Sequence, residues 1–172
     1  EVLRNVLRQD PDVLMIGEIR DKESLDIAIQ ASLTGHLVLA TLHTNDSVST
    51  INRLLDLEAE PFLVATTLKT IISQRLVLKL CVHCKKKAEE KNYFQEVGCM
   101  KCNLTGFKSR EIISEMFVMD EKISSMICKQ MDINEIIAYC KTRGFNTLFE
   151  NGMKKVEAGI VTQKEIYKVT SY

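Results

Sequence analysis

Two groups of residues in this sequence have types and spacings suited to chemistry. The first centres on one carboxylate. Residues 10–21 read DPDVLMIGEIRD, so four apolar residues stop at Gly17 and Glu18 and Arg20 follow. A carboxylate just past a buried strand can hold Mg²⁺ through water, or orient and polarise an attacking water, as phosphoryl transfer requires. A surface loop carrying Glu and Arg fits the same pattern. A second apolar run, residues 37–41, opens a polar cluster of Thr41, Leu42, His43, Thr44 and Asn45. His43 beside two hydroxyl residues suits contact with a terminal phosphate or a water, although a plain loop histidine also fits. His36, at the other end of that run, reads as structural.

The second group is sulfur. Cys81-Val82-His83-Cys84 and Cys99-Met100-Lys101-Cys102 are separated by 14 residues. Two such pairs at this spacing read as two knuckles completing one tetrahedral Cys₄ zinc site. Four protein ligands leave no open coordination position, so the expected role is structural. His83 sits inside a pair and is the less favoured ligand. Cys128 and Cys140 fall on helical faces and are expected to be small buried hydrophobes. Lys85, Lys86 and Lys87 read as a solvated face, or as one meeting an acidic lipid or partner surface.

The elements that must position these groups follow from periodicity. Leu3, Val6 and Leu7 have helical spacing, closed by Asp10-Pro11. Residues 13–16 form a continuous apolar run, which predicts a strand buried on both faces, as in a parallel sheet. Residues 22–33 are helical and Gly35 marks the stop. After the second strand, Asp46 or Ser47 is expected to cap a helix carrying Val48, Ile51, Leu54 and Leu55. Strand, helix, strand, helix is the α/β signature, and in such sheets ligands bind beyond the carboxyl ends of the strands, where both polar clusters lie. Pro61 opens a helical segment running through Ile71 and Ile72, and residues 75–80 alternate partly before Cys81. Helical patterns are then expected over residues 112–119, 122–131, 133–142 and 149–158.

Composition narrows the classes. The 172 residues carry 23 basic and 23 acidic side chains, with no net charge, and 45% of residues are hydrophobic. Neutrality argues against a free-standing nucleic-acid binder. No apolar stretch reaches membrane-span length and no secretory signal is visible, so six cysteines are not expected to form a disulfide framework. The G-x-x-x-x-G-K-[ST] phosphate cradle does not occur in these residues.

The segments LRNVLRQDPDVLMIGEIRD, ASLTGHLVLATLHTNDS, EPFLVATTLKTIISQRLVLKLC, TGFKSREIISEMFVMD and GMKKVEAGIVTQKEIYKVT, with the paired cysteines between them, resemble the type II secretion and type IV pilus assembly ATPases, a group that also serves competence. The likeness runs nearly end to end. It implies the carboxyl-terminal part of a RecA-like P-loop ATPase core over residues 1–80, a tetracysteine zinc module over 81–109 and a helical region over 110–172. Residues 12–18 match the family's atypical Walker B, with Glu18 serving Mg²⁺ and water beside Gly17. Residues 37–44 match its His box, with His43 and Thr44 near the γ-phosphate. Arg4 and Arg8 match the arginines closing its Asp box, Arg20 the arginine after Walker B, and Arg110 one after the zinc module.

Cys81, Cys84, Cys99 and Cys102 match the zinc motif of assembly ATPases, which retraction ATPases lack. The implied cofactors are ATP, Mg²⁺ and structural Zn²⁺. The implied assembly is a cytoplasmic homohexameric ring, peripheral to the inner membrane, meeting a platform protein and the cytoplasmic domain of a membrane-anchored assembly protein, with no direct nucleic-acid contact. The family's Walker A matches nothing here, so the chain reads as a C-terminal portion that neither hydrolyses nor tightly binds ATP alone. Two departures stand out: the excursion between the cysteine pairs is short, and Glu111 follows Arg110 where relatives often carry a small or hydroxyl residue. From another class, a zinc-ribbon module gripping nucleic acid or protein without catalysis also accommodates the cysteines and lysines.

Overall fold

A computed structural model describes residues 9, 11–88 and 93–170. The helix expected around Leu3, with Arg4 and Arg8, lies outside these residues. The elements in order are β1 (Val13–Ile16), α1 (Lys22–Leu33), β2 (Leu37–Ala40), α2 (Ser47–Asp56), α3 (Pro61–Thr67), β3 (Thr70–Leu80), the short pair β4 (Lys86–Lys87) and β5 (Phe94–Gln95), a 3₁₀ turn (Met100–Cys102), β6 (Phe107–Val118), then α4 (Glu121–Cys128), α5 (Ile133–Thr142), α6 (Leu148–Glu157) and α7 (Gln163–Thr170). They form two compact units, neither continuous in sequence. The first holds residues 1–71 and 117–143, the second 72–116 and 144–172.

In the first unit β1 and β2 pair in parallel, Val13 opposite Leu37 and Ile16 opposite Ala40. Asp21 caps α1 by accepting from the Ser24 N–H at 2.9 Å, and Asp46 caps α2 by accepting from the Ser49 N–H at 2.6 Å, so Asp46 rather than Ser47 is the cap. Both caps end loops that leave strand termini, and they therefore fix where the polar clusters begin. The strands are not buried on both faces as the apolar run suggested. Leu14 and Ile16 are buried, whereas Val13, Met15, Leu37 and Leu39 are exposed. The helices of this unit cover one face of the ladder, and the register sets the four uncovered side chains next to one another. Further along, α3 packs on α4, where the Ser124 hydroxyl donates to the Ala65 carbonyl at 3.1 Å. Cys140 is buried as expected; Cys128 is exposed, since it ends α4 beyond the buried face set by Ile123, Met126 and Ile127.

Most of β3 and β6 belongs to the second unit, and the two strands pair. Here the sequence reading needs two corrections. The segment opened by Pro61 leaves the helix at Thr67, and Ile71 and Ile72 lie on β3. Residues 112–119, expected to be helical, belong to β6 up to Val118, and the helical region begins at Glu121. Along the later half of β6 burial alternates residue by residue, with Ile113, Glu115 and Phe117 inside, which is the period of a strand with one covered face. The core joins Val77 and Ile113 to Leu148, Val156, Val161 and Ile166 of the last two helices and the link between them. Each such side chain contributes about 2 kcal/mol on burial. The buried Glu115 accepts from the Leu148 N–H at 2.5 Å, which satisfies an orphan donor at the start of α6.

Glu111 ties β6 to its surroundings. Its carboxylate lies 2.5 Å from Lys155 Nζ and 3.2 Å from Lys79 Nζ. It therefore pairs with lysines, not with its neighbour Arg110. The Lys155 hydrogen bond, then that of Lys79, holds the Glu111 carboxyl below its ordinary range, against the opposing pull of burial. A carboxyl lowered in the folded state adds stability above its unfolded pKa and loses it as pH falls through the folded one. Glu111→Gln is therefore expected to lower the melting temperature at neutral pH, where the charged pairs are intact, and to converge with the parent below about pH 4.5, which flattens the acid limb. An unchanged acid limb would remove Glu111 from that role.

Candidate functional site

The carboxyl ends of β1 and β2 bring Glu18, Arg20 and His43 together. Arg20 grips one Glu18 oxygen with two donors, Nε at 2.6 Å and Nη2 at 2.5 Å, while His43 Nε2 lies 3.2 Å from the other oxygen. Glu18 is 20% exposed, against 77% for Arg20 and 88% for His43, so the carboxylate forms the floor and its partners the rim. The Arg20 hydrogen bond holds the Glu18 carboxyl below its ordinary pKa; burial opposes this, and the charges of Arg20 and His43 add to it. The guanidinium is stabilised in return.

Such a carboxylate stays ionised at neutral pH. It is an acceptor and a cation holder more than a strong base, because general bases work best with a pKa near the working pH. A Cβ built on Gly17 would meet nothing within 4 Å, which leaves open space at the strand end beside Glu18.

Thr41 was part of the second polar cluster but was not assigned a site role from sequence. Its hydroxyl donates to the Gly17 carbonyl, and its own carbonyl accepts from the Ile19 N–H at 2.9 Å. Those two bonds bracket Glu18 and fix its backbone from the neighbouring strand. The signal lies in the register: Ile16 faces Ala40, so the next residue on each strand brings Gly17 to Thr41. Thr44 lies in the same loop. Its hydroxyl pairs with that of Thr50 at 2.8 Å, stitching the loop to α2. His36 binds at home, with Nδ1 2.9 Å from the Ala31 carbonyl and 3.0 Å from the Thr34 hydroxyl, in keeping with a structural part. Arg110 is exposed on β6 in the second unit. Arg4 and Arg8 lie outside the described residues.

The four paired cysteines of the second unit converge. Their sulfurs all lie within 4.8 Å of one another, with Cys84–Cys102 at 3.8 Å, Cys99–Cys102 at 3.7 Å and Cys81–Cys99 at 4.0 Å. A tetrahedral ZnS₄ centre with bonds of about 2.3 Å has sulfur–sulfur edges of about 3.8 Å. The donor set therefore fits that ion. Backbone N–H groups of Cys99 and Gly106 point at Cys102 Sγ from 3.2 and 3.3 Å. For Cys102 burial pushes the thiol up, but those two donors together with the neighbouring Cys99 and Cys84 sulfurs outweigh it and bring it down to about 6; for Cys84 burial dominates and the thiol is pushed up to about 11.

Tight turns make this possible. Gly98 has φ +108°, and a Cβ there would lie 2.5 Å from the Leu104 carbonyl oxygen. Gly98→Ala is expected to destabilise the second unit by about 2 kcal/mol or more. Thermal melting followed by circular dichroism checks this; a melting point equal to the parent would show that the turn can relax.

A family model described as "Type II/IV secretion system protein" matches residues 1–168. The chain belongs to this family. It is 46% identical over 168 residues to the type II secretion system protein HxcR of Pseudomonas aeruginosa, covering 98% of this chain and 35% of that one. It is 40% identical over 181 residues to the type IV pilus assembly ATPase PilB of Thermus thermophilus, covering 95% of this chain and 20% of that one. Among solved structures it superposes on the pilus retraction motor PilT with bound ADP, at a TM-score of 0.75 and 26% identity over 99% of this chain and 43% of that one. The α/β fold is thus that of secretion ATPases, and the chain spans about a third or less of the length of these two relatives.

Proposed function

We propose that this chain is the carboxyl-terminal part of a RecA-like ATPase motor that drives assembly of a type IV pilus or a type II secretion pseudopilus. The observation that carries the reading is the Glu18 carboxylate at the carboxyl end of β1, locked between Arg20 and His43 with its backbone held by Thr41. ATP with Mg²⁺ supplies the transferable phosphoryl group. Glu18 would hold Mg²⁺ or position the attacking water through its ionised oxygens, which Arg20 and His43 occupy here. His43 and Arg20 are the donors placed to face negative charge when they leave Glu18. The fit of the four cysteine sulfurs to a tetrahedral centre supports a structural zinc. Relatives described as pilus assembly ATPases and type II secretion proteins support the assembly branch.

In this reading the motor is a cytoplasmic homohexamer beside the inner membrane, and ring closure moves a platform protein and a membrane-anchored assembly protein. Arg4, Arg8 and Arg110 serve nucleotide or neighbouring subunit. Among the described residues no helix is long and apolar enough to cross a membrane.

The test compares ATP turnover by this chain with turnover by a longer protein that joins it to a phosphate cradle. The longer protein is expected to hydrolyse ATP and the chain alone to show none. Steady turnover by the chain alone, abolished by Glu18→Gln, would overturn the assignment of the missing cradle.

A further inference from the structure

The sulfur cluster carries an apolar surface that its own folding does not use. Cys81 and Cys102 are buried, yet the residues beside the cysteines stand out: Met100 is 84% exposed, Leu104 70%, Val82 66% and Val97 50%. They are neighbours in space. Val82 follows Cys81, whose sulfur is 4.0 Å from that of Cys99; Met100 follows Cys99; the Leu104 N–H donates to the Cys99 carbonyl at 2.9 Å; and Val97 precedes Gly98, which abuts the Leu104 carbonyl.

Leu104 also has φ +62°, a left-handed conformation that Gly or Asn occupies more readily. A large aliphatic side chain is thus kept at a strained, exposed position, where folding gains nothing from it. The tip is held firmly. Lys85 Nζ donates to the Gly159 carbonyl at 2.6 Å and lies over the Phe94 ring at 4.7 Å, so the module is clasped to the end of α6.

Charge accompanies the apolar residues. Residues 81–109 contain six lysines against three glutamates, in a chain with no net charge. Lys85 is spent on the clasp, while Lys86, Lys87, Lys101 and Lys108 are exposed. Protein grooves are usually gripped through Trp, Tyr or Arg anchors. The residues adjoining the cysteines include none of these. Short aliphatic side chains with a lysine rim suit a fluid apolar phase under an anionic surface, which needs no shape match.

We propose that the tip of the cysteine module docks on an anionic phospholipid surface, with Val82, Val97, Met100 and Leu104 entering the interface and the lysines meeting the headgroups. The contact is peripheral and does not depend on the chemistry of Glu18. Co-sedimentation of the zinc-supplemented chain with phosphatidylcholine vesicles, with or without about one-third phosphatidylglycerol, tests it. Binding is expected only to the anionic vesicles and to weaken with salt. Met100→Asp with Leu104→Asp, and separately Lys86→Glu with Lys87→Glu, are each expected to weaken it about tenfold or more. Val82→Asp serves as the independent variant, and metal content and melting point, unchanged in all of them, report that the module is intact.

Absence of binding, equal binding to neutral vesicles, or parental binding by these variants overturns the proposal. Binding to poly-glutamate without binding to vesicles overturns it in favour of an acidic protein partner.

Discussion

Cys102→Ser is expected to abolish stoichiometric zinc binding and to melt the loop between the cysteine pairs, a larger effect than Cys84→Ser. Cys102 is one of the two buried sulfurs of the cluster, and the N–H groups of Cys99 and Gly106 point at it. A serine oxygen is shorter, harder and protonated at neutral pH, so it supplies neither the charge nor the reach of a thiolate. Apart from the Lys85 clasp to Gly159, the described residues of the loop are held by a short ladder and the sulfur cluster. Its ladder, β4 with β5, is two residues long on each side, and its interior is the sulfur cluster.

In small zinc modules binding supplies about 10–16 kcal/mol, comparable to a whole domain's usual margin of about 5–15 kcal/mol. Removing metal should therefore unfold this segment outright. The Cys84 thiol must lose its proton when metal binds, so affinity is expected to fall as pH falls. Metal analysis of the purified chain, with and without a competing chelator, reads both effects. Zinc content equal to the parent in Cys81→Ser and Cys99→Ser would show that the metal sits elsewhere.

Glu18→Gln in a longer protein that contains the phosphate cradle is expected to lower ATP turnover by about 10²-fold or more, with nucleotide affinity within a few-fold. The amide keeps the shape of the side chain and removes its charge. Arg20 loses its ion pair and His43 its anionic partner. Melting of the chain should hardly change, because an ion pair with exposed partners adds little to stability. Turnover and stability therefore separate, which a purely structural glutamate would not allow. Turnover equal to the parent, or a fall in melting point matching the fall in rate, would remove Glu18 from the chemistry. Thr41→Val offers a comparison, since it deletes the hydroxyl that anchors Gly17 while sparing the carboxylate.

Much of the site was legible in the sequence because its signals are local. The cap at Asp46, the stop at Gly35 and the two Cys-x-x-Cys knuckles depend on neighbours a few positions away. The two apolar runs ending in polar clusters suffice to predict adjacent strands with their functional ends together, since parallel strands bring like ends to one edge. The family resemblance then gave Glu18 and His43 their expected roles.

Other features depend on partners distant in the chain. Residues 112–118 looked helical because Ile112, Ile113, Met116 and Phe117 also fit a helical spacing; pairing with β3 selects the two-residue period instead. The apolar run of β1 implied two covered faces, but coverage belongs to whatever packs on a strand, and among the described residues Val13, Met15, Leu37 and Leu39 stay exposed on one face. Glu111 stood out in the sequence only as a departure beside Arg110; Lys79 and Lys155, which pair with it, reach it from other elements.

The sequence by itself determined the local elements, the cysteine donor set and the carboxylate past β1. Only the tertiary structure decided that Thr41 clamps Gly17, that the Cys99 and Gly106 N–H groups meet Cys102 Sγ and that Val82, Val97, Met100 and Leu104 stay exposed in the cysteine module. Each of these depends on contacts between segments whose meeting is fixed by packing and register, and no short-range pattern encodes that meeting.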